Sequence, residues 1–279
     1  MRTLKQILAV ALISFTFSSV FANEAKIQVT ITGSGSPIVF LPGFGCPGEV
    51  WKDIVEPFKA NHACHTISYP GFTGIAAPDT MWYQTVIEQV QDYVATHFDE
   101  KPILIGHSIG GTIAMELAIR KTNCSKVILV DALPCYANLM MPGVPIETIT
   151  HDSPYNKQIL AMDDAQFQGM VRQMTDFMVR NENKKQVIFD WIKQADRKSY
   201  TYGYTDLLKT DLRQSIASIE IPVLVLAAVP FSLEQTEKII TDQFKQLPNK
   251  KIAYIENSAH FIMYDQPEWL ISQIELFLN

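Results

Sequence analysis

ILIGHSIGGTIAMELA, residues 103–118, places a serine between glycines where an apolar strand pattern gives way to a helical one. Residues 102–106 read as a strand and 109–120 as a helix. Gly106-His107-Ser108-Ile109-Gly110 therefore occupies a strand-to-helix turn, the context that a G-x-S-x-G nucleophile elbow requires. Such a turn is tight and forces unusual backbone angles on the serine. Glycine two residues before and two after it removes the Cβ atoms that would clash. The Ser108 hydroxyl is then held above the sheet at the positive end of the following helix. A serine hydroxyl is a poor nucleophile until a base takes its proton, so a base must be sought elsewhere in the chain.

Working outward, strand patterns recur at 25–32, 37–43, 65–71, 126–131, 222–229 and 251–256. AKIQVTIT alternates as an outer strand does, whereas PIVFLPG and VLVLAAV are continuous apolar runs of the central kind. Helical patterns lie between them. At 49–60, Val50, Ile54, Pro57 and Phe58 share a face. At 80–98, Val86, Val90, Tyr93, Val94 and His97 do so. Further helices are expected at 233–246, started by a Ser232/Gln235 capping box, and at 267–278, with Pro267 in the first turn. Alternation of strand and helix predicts an α/β fold, a mostly parallel central sheet with helices on both faces. The rhythm breaks only at 136–212. This Met- and Phe-rich stretch lacks a good strand and reads as a helical cap inserted between core segments 23–135 and 213–279. It follows a strand end, on the edge of the sheet where α/β active sites lie.

The chain has 279 residues, 47% of them hydrophobic and 19% charged, enough for one large α/β domain and too apolar for a disordered chain. MRTLKQ followed by ILAVALISFTFSSVF and Val20-Phe21-Ala22 has the pattern of a secretory signal peptide cut after Ala22. The expected localisation is periplasmic or secreted. Cleavage removes Arg2, Lys5 and no acid, taking the formal charge from −6 to −8. That balance argues against nucleic acid or an anionic membrane as partner and leaves a small-molecule substrate, with the oligomeric state open. Export permits disulfides among Cys46, Cys64, Cys124 and Cys135. Cys46 and Cys135 both follow strand C-terminal ends, so a Cys46–Cys135 bridge is the one expected.

His260, in IENSAHFIMYDQPEWL, follows the last strand by a short loop and so reaches the same sheet edge as Ser108. It is the candidate base. His107 adjoins the serine and is expected to pack under the turn. His62 and His65 flank Cys64 on the way into a strand, without paired ligand spacing, so no metal is expected. An oxyanion hole needs two donors. The elbow supplies the Ile109 N–H, and the loop after the 37–43 strand, LPGFGCPGEVW, supplies the Phe44 N–H as the best-placed second.

These motifs resemble the α/β-hydrolase superfamily over residues 25–279. LPGFGCPGEVW is similar to its HG-F loop, with Pro42 where the family often has His. GHSIGG is similar to its elbow, SAHFIMYDQPEWL to its histidine loop and last helix, and the insertion to its cap. The resemblance implies a Ser-His-acid triad and no cofactor. The acid usually follows the strand that is 222–229 here, yet AAVPFS contains none. Some members of the superfamily take it from the end of the preceding strand, which is Asp131 here. Glu234 or Glu237 in the next helix, or a site with no acid, are the other readings. The expectation is Asp131.

Together the residues point to an exported serine hydrolase that cleaves a carboxylic ester of a small apolar substrate through an acyl-enzyme. Two other functions share these parts. One is a proline iminopeptidase-like peptidase, with Glu147 and Asp152 as an acidic recess for a free amine. The other is a weakly catalytic small-molecule binding protein on the same scaffold.

Overall fold

The computed structural model describes residues 25–79 and 81–279. The expected leader, with its cut after Ala22, lies outside them. The described strands are β1 (Gln28–Thr32), β2 (Ser36–Leu41), β3 (His62–Ser68), β4 (Ile103–His107), β5 (Lys126–Val130), β6 (Val223–Val229) and β7 (Lys250–Glu256). They form one seven-stranded sheet in the order β1-β3-β2-β4-β5-β6-β7. All pairs are parallel except β1 with β3. β6 is buried along its whole length, as its unbroken apolar run requires, while β1 at one edge is partly exposed. β2 and β3 end before Pro42 and Pro70, which have no N–H for the ladder.

Helices α1 (Lys52–Val55), α2 (Trp82–Thr96) and α3 (Ile109–Ile119) fall between these strands, and α9 (Leu233–Gln243), α10 (Ile262–Asp265) and α11 (Pro267–Leu278) close the chain. α3 is buried on nearly every side, which is why its sequence is apolar all round. Between β5 and β6 come α4 (Ala137–Met140), α5 (Pro154–Ala161), α6 (Asp164–Met178), α7 (Glu182–Ile192) and α8 (Arg197–Lys209). α6 opens on a reciprocal cap: Gln166 N–H donates to Asp163 Oδ1 at 2.8 Å, and Asp163 N–H to Gln166 Oε1 at 3.0 Å. Its Phe167, Val171 and Thr175 turn inward at four-residue spacing, and Phe177 is left outside.

Three local expectations are corrected. The helix at 49–60 is a 3-10 turn (Gly48–Trp51) running into α1 and ending there. Val50, Ile54 and Phe58 are buried as their spacing implies, but Pro57 is exposed. Ser232 does begin α9, yet its side chain caps nothing. The expected Cys46–Cys135 bridge is absent, and all four cysteines are buried free thiols. β4 lies between β2 and β5, so the strand ends that these two cysteines follow stand about 9.5 Å apart. A bridge tolerates Cα atoms no more than about 7 Å apart. Burial pushes the Cys46 thiol up to about 12, so it stays protonated and unreactive.

The sheet register brings the elbow to the centre of the molecule. Gly106 on β4 pairs Leu41 on β2, and His107 pairs Val130 on β5. A Cβ on Gly106 would stand 2.3 Å from the Gly110 carbonyl oxygen, and one on Gly110 would stand 2.4 Å from that of Leu41. Both contacts are with backbone, which cannot swing aside. Gly106→Ala is therefore expected to cost about 1–3 kcal/mol of stability, the usual range for overpacking. Urea unfolding checks this, and a midpoint equal to the parent's would contradict it.

Candidate active site

At Ser108 the chain leaves β4 with φ 53° and ψ −125°, a conformation that non-glycine residues rarely adopt. The backbone around it holds the residue there. Ser108 N–H donates to the Val130 carbonyl at 3.0 Å, and the Ser108 carbonyl accepts from Gly111 and Thr112 N–H. The side chain opens into a cavity of about 440 Å³ between the sheet edge and the helices α4, α6 and α8. Asp131, His260, Gly43 and Phe44 line the same cavity.

Asp131 extends past β5 with φ 46°, again left-handed for a non-glycine residue. Its N–H continues the ladder to the Leu226 carbonyl at 2.8 Å. Its carboxylate divides its work: Oδ1 accepts the Ala228 N–H at 3.0 Å, and Oδ2 lies 2.6 Å from His260 Nδ1. Strand β6, whose end carries no acid of its own, thus orients the acid from β5. Glu234 and Glu237 sit on the exposed face of α9 and do not reach the cavity.

His260 is fixed from behind by its backbone. The His107 ring is fully buried, and its Nε2 lies 2.9 Å from the His260 carbonyl. A carbonyl only accepts, so Nε2 carries the proton and Nδ1 is left an acceptor without a partner. Burial, helped by the neighbouring His260 charge, holds His107 well below the usual histidine range, so the ring stays neutral. A Cβ on residue 43 would meet that Nδ1 at 2.6 Å, which leaves glycine as the residue for Gly43. On the other side of His260, the Asp265 carboxylate accepts the Ala259 N–H at 2.8 Å, together with Arg180 N–H and Asn181 N–H from the α6–α7 turn. Phe261 N–H donates to the Met178 carbonyl at 3.1 Å. The histidine loop and the cap turn are therefore sewn together.

Phe44 packs against Phe72, Trp82 and Tyr200, with ring centroids 5.0–5.3 Å away. This aromatic cluster holds the loop after β2 beside the elbow. Ile109 opens α3, where the first N–H groups of a helix have no partner within it. The rest of the cavity wall is mostly apolar, with Met174, Leu133 and Leu207 joined by Tyr136, Tyr200 and Tyr204, and Leu139, Met140 and Phe177 exposed at its rim. A smaller cavity of about 170 Å³ between α5, α6 and α8 adjoins it, sharing Met174, Tyr200 and Tyr204 as a partition. Tyr200 Oη donates to Met174 Sδ across that partition at 3.6 Å.

Other residues singled out by sequence lie apart from the cavity. Glu147 is exposed, and Asp152, 86% exposed, pairs with Lys157, so the two form no acidic recess. His65 pairs with Tyr93 at 2.7 Å, and His62 with the Ser36 carbonyl. Sequence reasoning missed the brace from His107 to His260, the Asp265 junction and Tyr136 in the cavity wall. Only the position of His107 inside the elbow motif hinted at any of them.

The chain matches the model of the alpha/beta hydrolase family over residues 38–273. A pimeloyl-[acyl-carrier protein] methyl ester esterase of Vibrio parahaemolyticus is 26% identical over 252 residues, covering 88% of this chain and 95% of that protein. Among solved structures, an esterase of Exiguobacterium antarcticum superposes with a TM-score of 0.75 at 17% identity, over 90% of this chain and 94% of the other. The enol-lactonase of Burkholderia xenovorans gives 0.73 at 14%, over 90% and 96%.

The contrast between the two acidic positions is testable. Asp131→Asn should lower ester turnover at least about a hundredfold, since the acid orients the histidine and stabilises its cation. Glu234→Gln should leave turnover within about twofold, as expected of an exposed surface change. Steady-state kinetics on a p-nitrophenyl ester reads both, and equal activity of Asp131→Asn and the parent would remove the acid from Asp131.

Proposed function

The chain belongs to the alpha/beta hydrolase family, and on that premise we propose that it hydrolyses carboxylic esters with apolar acyl groups through an acyl-enzyme on Ser108. The observation that carries this reading is the 2.6 Å contact between Asp131 and His260 on the wall of the cavity that holds Ser108. Ser108 Oγ attacks the acyl carbon as His260 takes its proton, and Asp131 holds the imidazole in orientation and offsets its charge. The N–H groups of Phe44 and Ile109 hold the oxyanion, each worth about 3–4 kcal/mol in the transition state. His260 then protonates the departing alcohol, and water, activated by the same histidine, releases the acid.

The relatives, by their names, act on the methyl ester of a pimeloyl chain on acyl-carrier protein. For this chain we read the substrate as a free small ester. The rim residues Leu139, Met140 and Phe177 carry no charge, and the wall behind them is mostly apolar. A fluorophosphonate probe should label the parent within minutes and leave Ser108→Ala unlabelled. An unlabelled parent would favour the binding-protein reading.

The partition between the two cavities bears on chain length. Met174 is flexible and fills the gap. Met174→Ala should join the cavities and move the optimum of kcat/KM toward longer acyl groups across p-nitrophenyl esters from acetyl to decanoyl. An unchanged profile would count against an acyl chain lying there.

Export of this hydrolase, with residues 1–22 removed, is also proposed, on the leader pattern in the sequence. N-terminal sequencing of full-length protein expressed in a bacterium should then begin at Asn23, and an intact Met1 would exclude it.

A further inference from the structure

Tyr136 lies just before α4, in the stretch that leaves β5 through Asp131. Its ring lines the main cavity, and its hydroxyl oxygen is buried without a hydrogen bond. Buried hydroxyls almost always find a partner, so an orphan in a cavity wall calls for a reason. Ser108 and Leu133 line the same cavity, and the Ser108 side chain and Leu133 backbone draw the phenol's pKa down as nearby donors do, although neither stands in hydrogen-bonding geometry in the resting molecule. Burial raises the phenol well above its ordinary range, with the Asp131 charge adding to it, so the group keeps its proton and is a permanent donor.

We propose that Tyr136 is a further catalytic residue, whose O–H donates a hydrogen bond to Ser108 Oγ whenever that oxygen carries developing negative charge. This rests on the acyl-enzyme reading above. Oγ is charged twice in the cycle. In acylation its proton passes to His260 while its electron pair forms the bond to the acyl carbon, and the carbonyl π pair moves to the oxyanion. In deacylation a water oxygen bonds to the acyl carbon and gives its proton to His260. The acyl carbon–Oγ bond then breaks, its electron pair leaves on Oγ, and His260 returns a proton there. Tyr136 transfers no proton in either half. It shortens its approach to Oγ as charge appears, and hydrogen bonds of this kind commonly tighten only once substrate is bound.

Topology keeps this donor apart from the oxyanion hole. Phe44 follows β2 on one side of β4, whereas Tyr136 follows β5 on the other. The acyl carbonyl oxygen and the serine oxygen are thereby served from opposite sides.

Tyr136→Phe deletes the oxygen and keeps the ring. A hydrogen bond to a charged oxygen sets the expected fall in kcat at about tenfold to a hundredfold, with KM within about twofold. Because the hydroxyl has no partner in the resting protein, the unfolding midpoint should stay level or rise. Tyr136→Leu, which also removes the ring, should lose kcat to a similar degree. If the ring packing were what mattered, Phe would serve as well as Tyr and only Leu would fail, which overturns the proposal. A Tyr136→Phe protein that melts earlier or fails to fold overturns it too, since the hydroxyl would then be holding the structure together. Failure of the parent to react with the fluorophosphonate would instead sink the hydrolase reading on which this one rests, so the two failures are distinguishable.

Discussion

The 2.6 Å hydrogen bond from His260 Nδ1 to Asp131 Oδ2 joins residues 129 positions apart, and the arrangement of the sheet edge depends on it. Both partners are held at fixed positions by backbone. Asp131 is tied to β6 by its own N–H and again through Oδ1. His260 is tied by its carbonyl to His107, one residue before the serine. The result is a closed loop of contacts: elbow to histidine loop, histidine to acid, and back to Ser108 through Val130, the residue before the acid. Two of its members, Ser108 and Asp131, have left-handed backbone, each at a cost of about 1–3 kcal/mol. Neighbouring strands in register offset that cost, because the ladder bonds to Val130 and Leu226 run through the same two residues.

The fold was legible because its signals are local. A continuous apolar run such as VLVLAAV reads as a central strand, and glycines spaced around Ser108 read as a tight turn, without knowledge of anything distant. The helical character of 136–212 was legible in the same way, from the absence of alternation. The acid was harder. Asp131, Glu234 and Glu237 all fall near strand ends, and only register and backbone direction separate them: α9 turns its glutamates to solvent, while Asp131 is aimed inward by its positive φ. The cysteines show the converse error. Cys46 and Cys135 both follow strand ends on one edge, but sharing an edge is not being adjacent, and β4 keeps them apart.

The roles of several other residues left no mark in the sequence. Tyr136 and Met174 look like ordinary core side chains of a Met- and aromatic-rich insertion. What distinguishes them is an orphaned hydroxyl in one case and a shared wall between two cavities in the other. His107 likewise reads as filler within a glycine turn until its distance to the His260 carbonyl is known.

The Asp265 carboxylate touches both halves of the molecule at once, gripping Ala259 of the histidine loop with one oxygen and the start of α7 with the other. The entrance and the chemistry are consequently geared to each other. The cap turn and the loop that carries the imidazole share this one anchor, so a change at Asp265 would loosen the wall of the cavity and the base of the triad together.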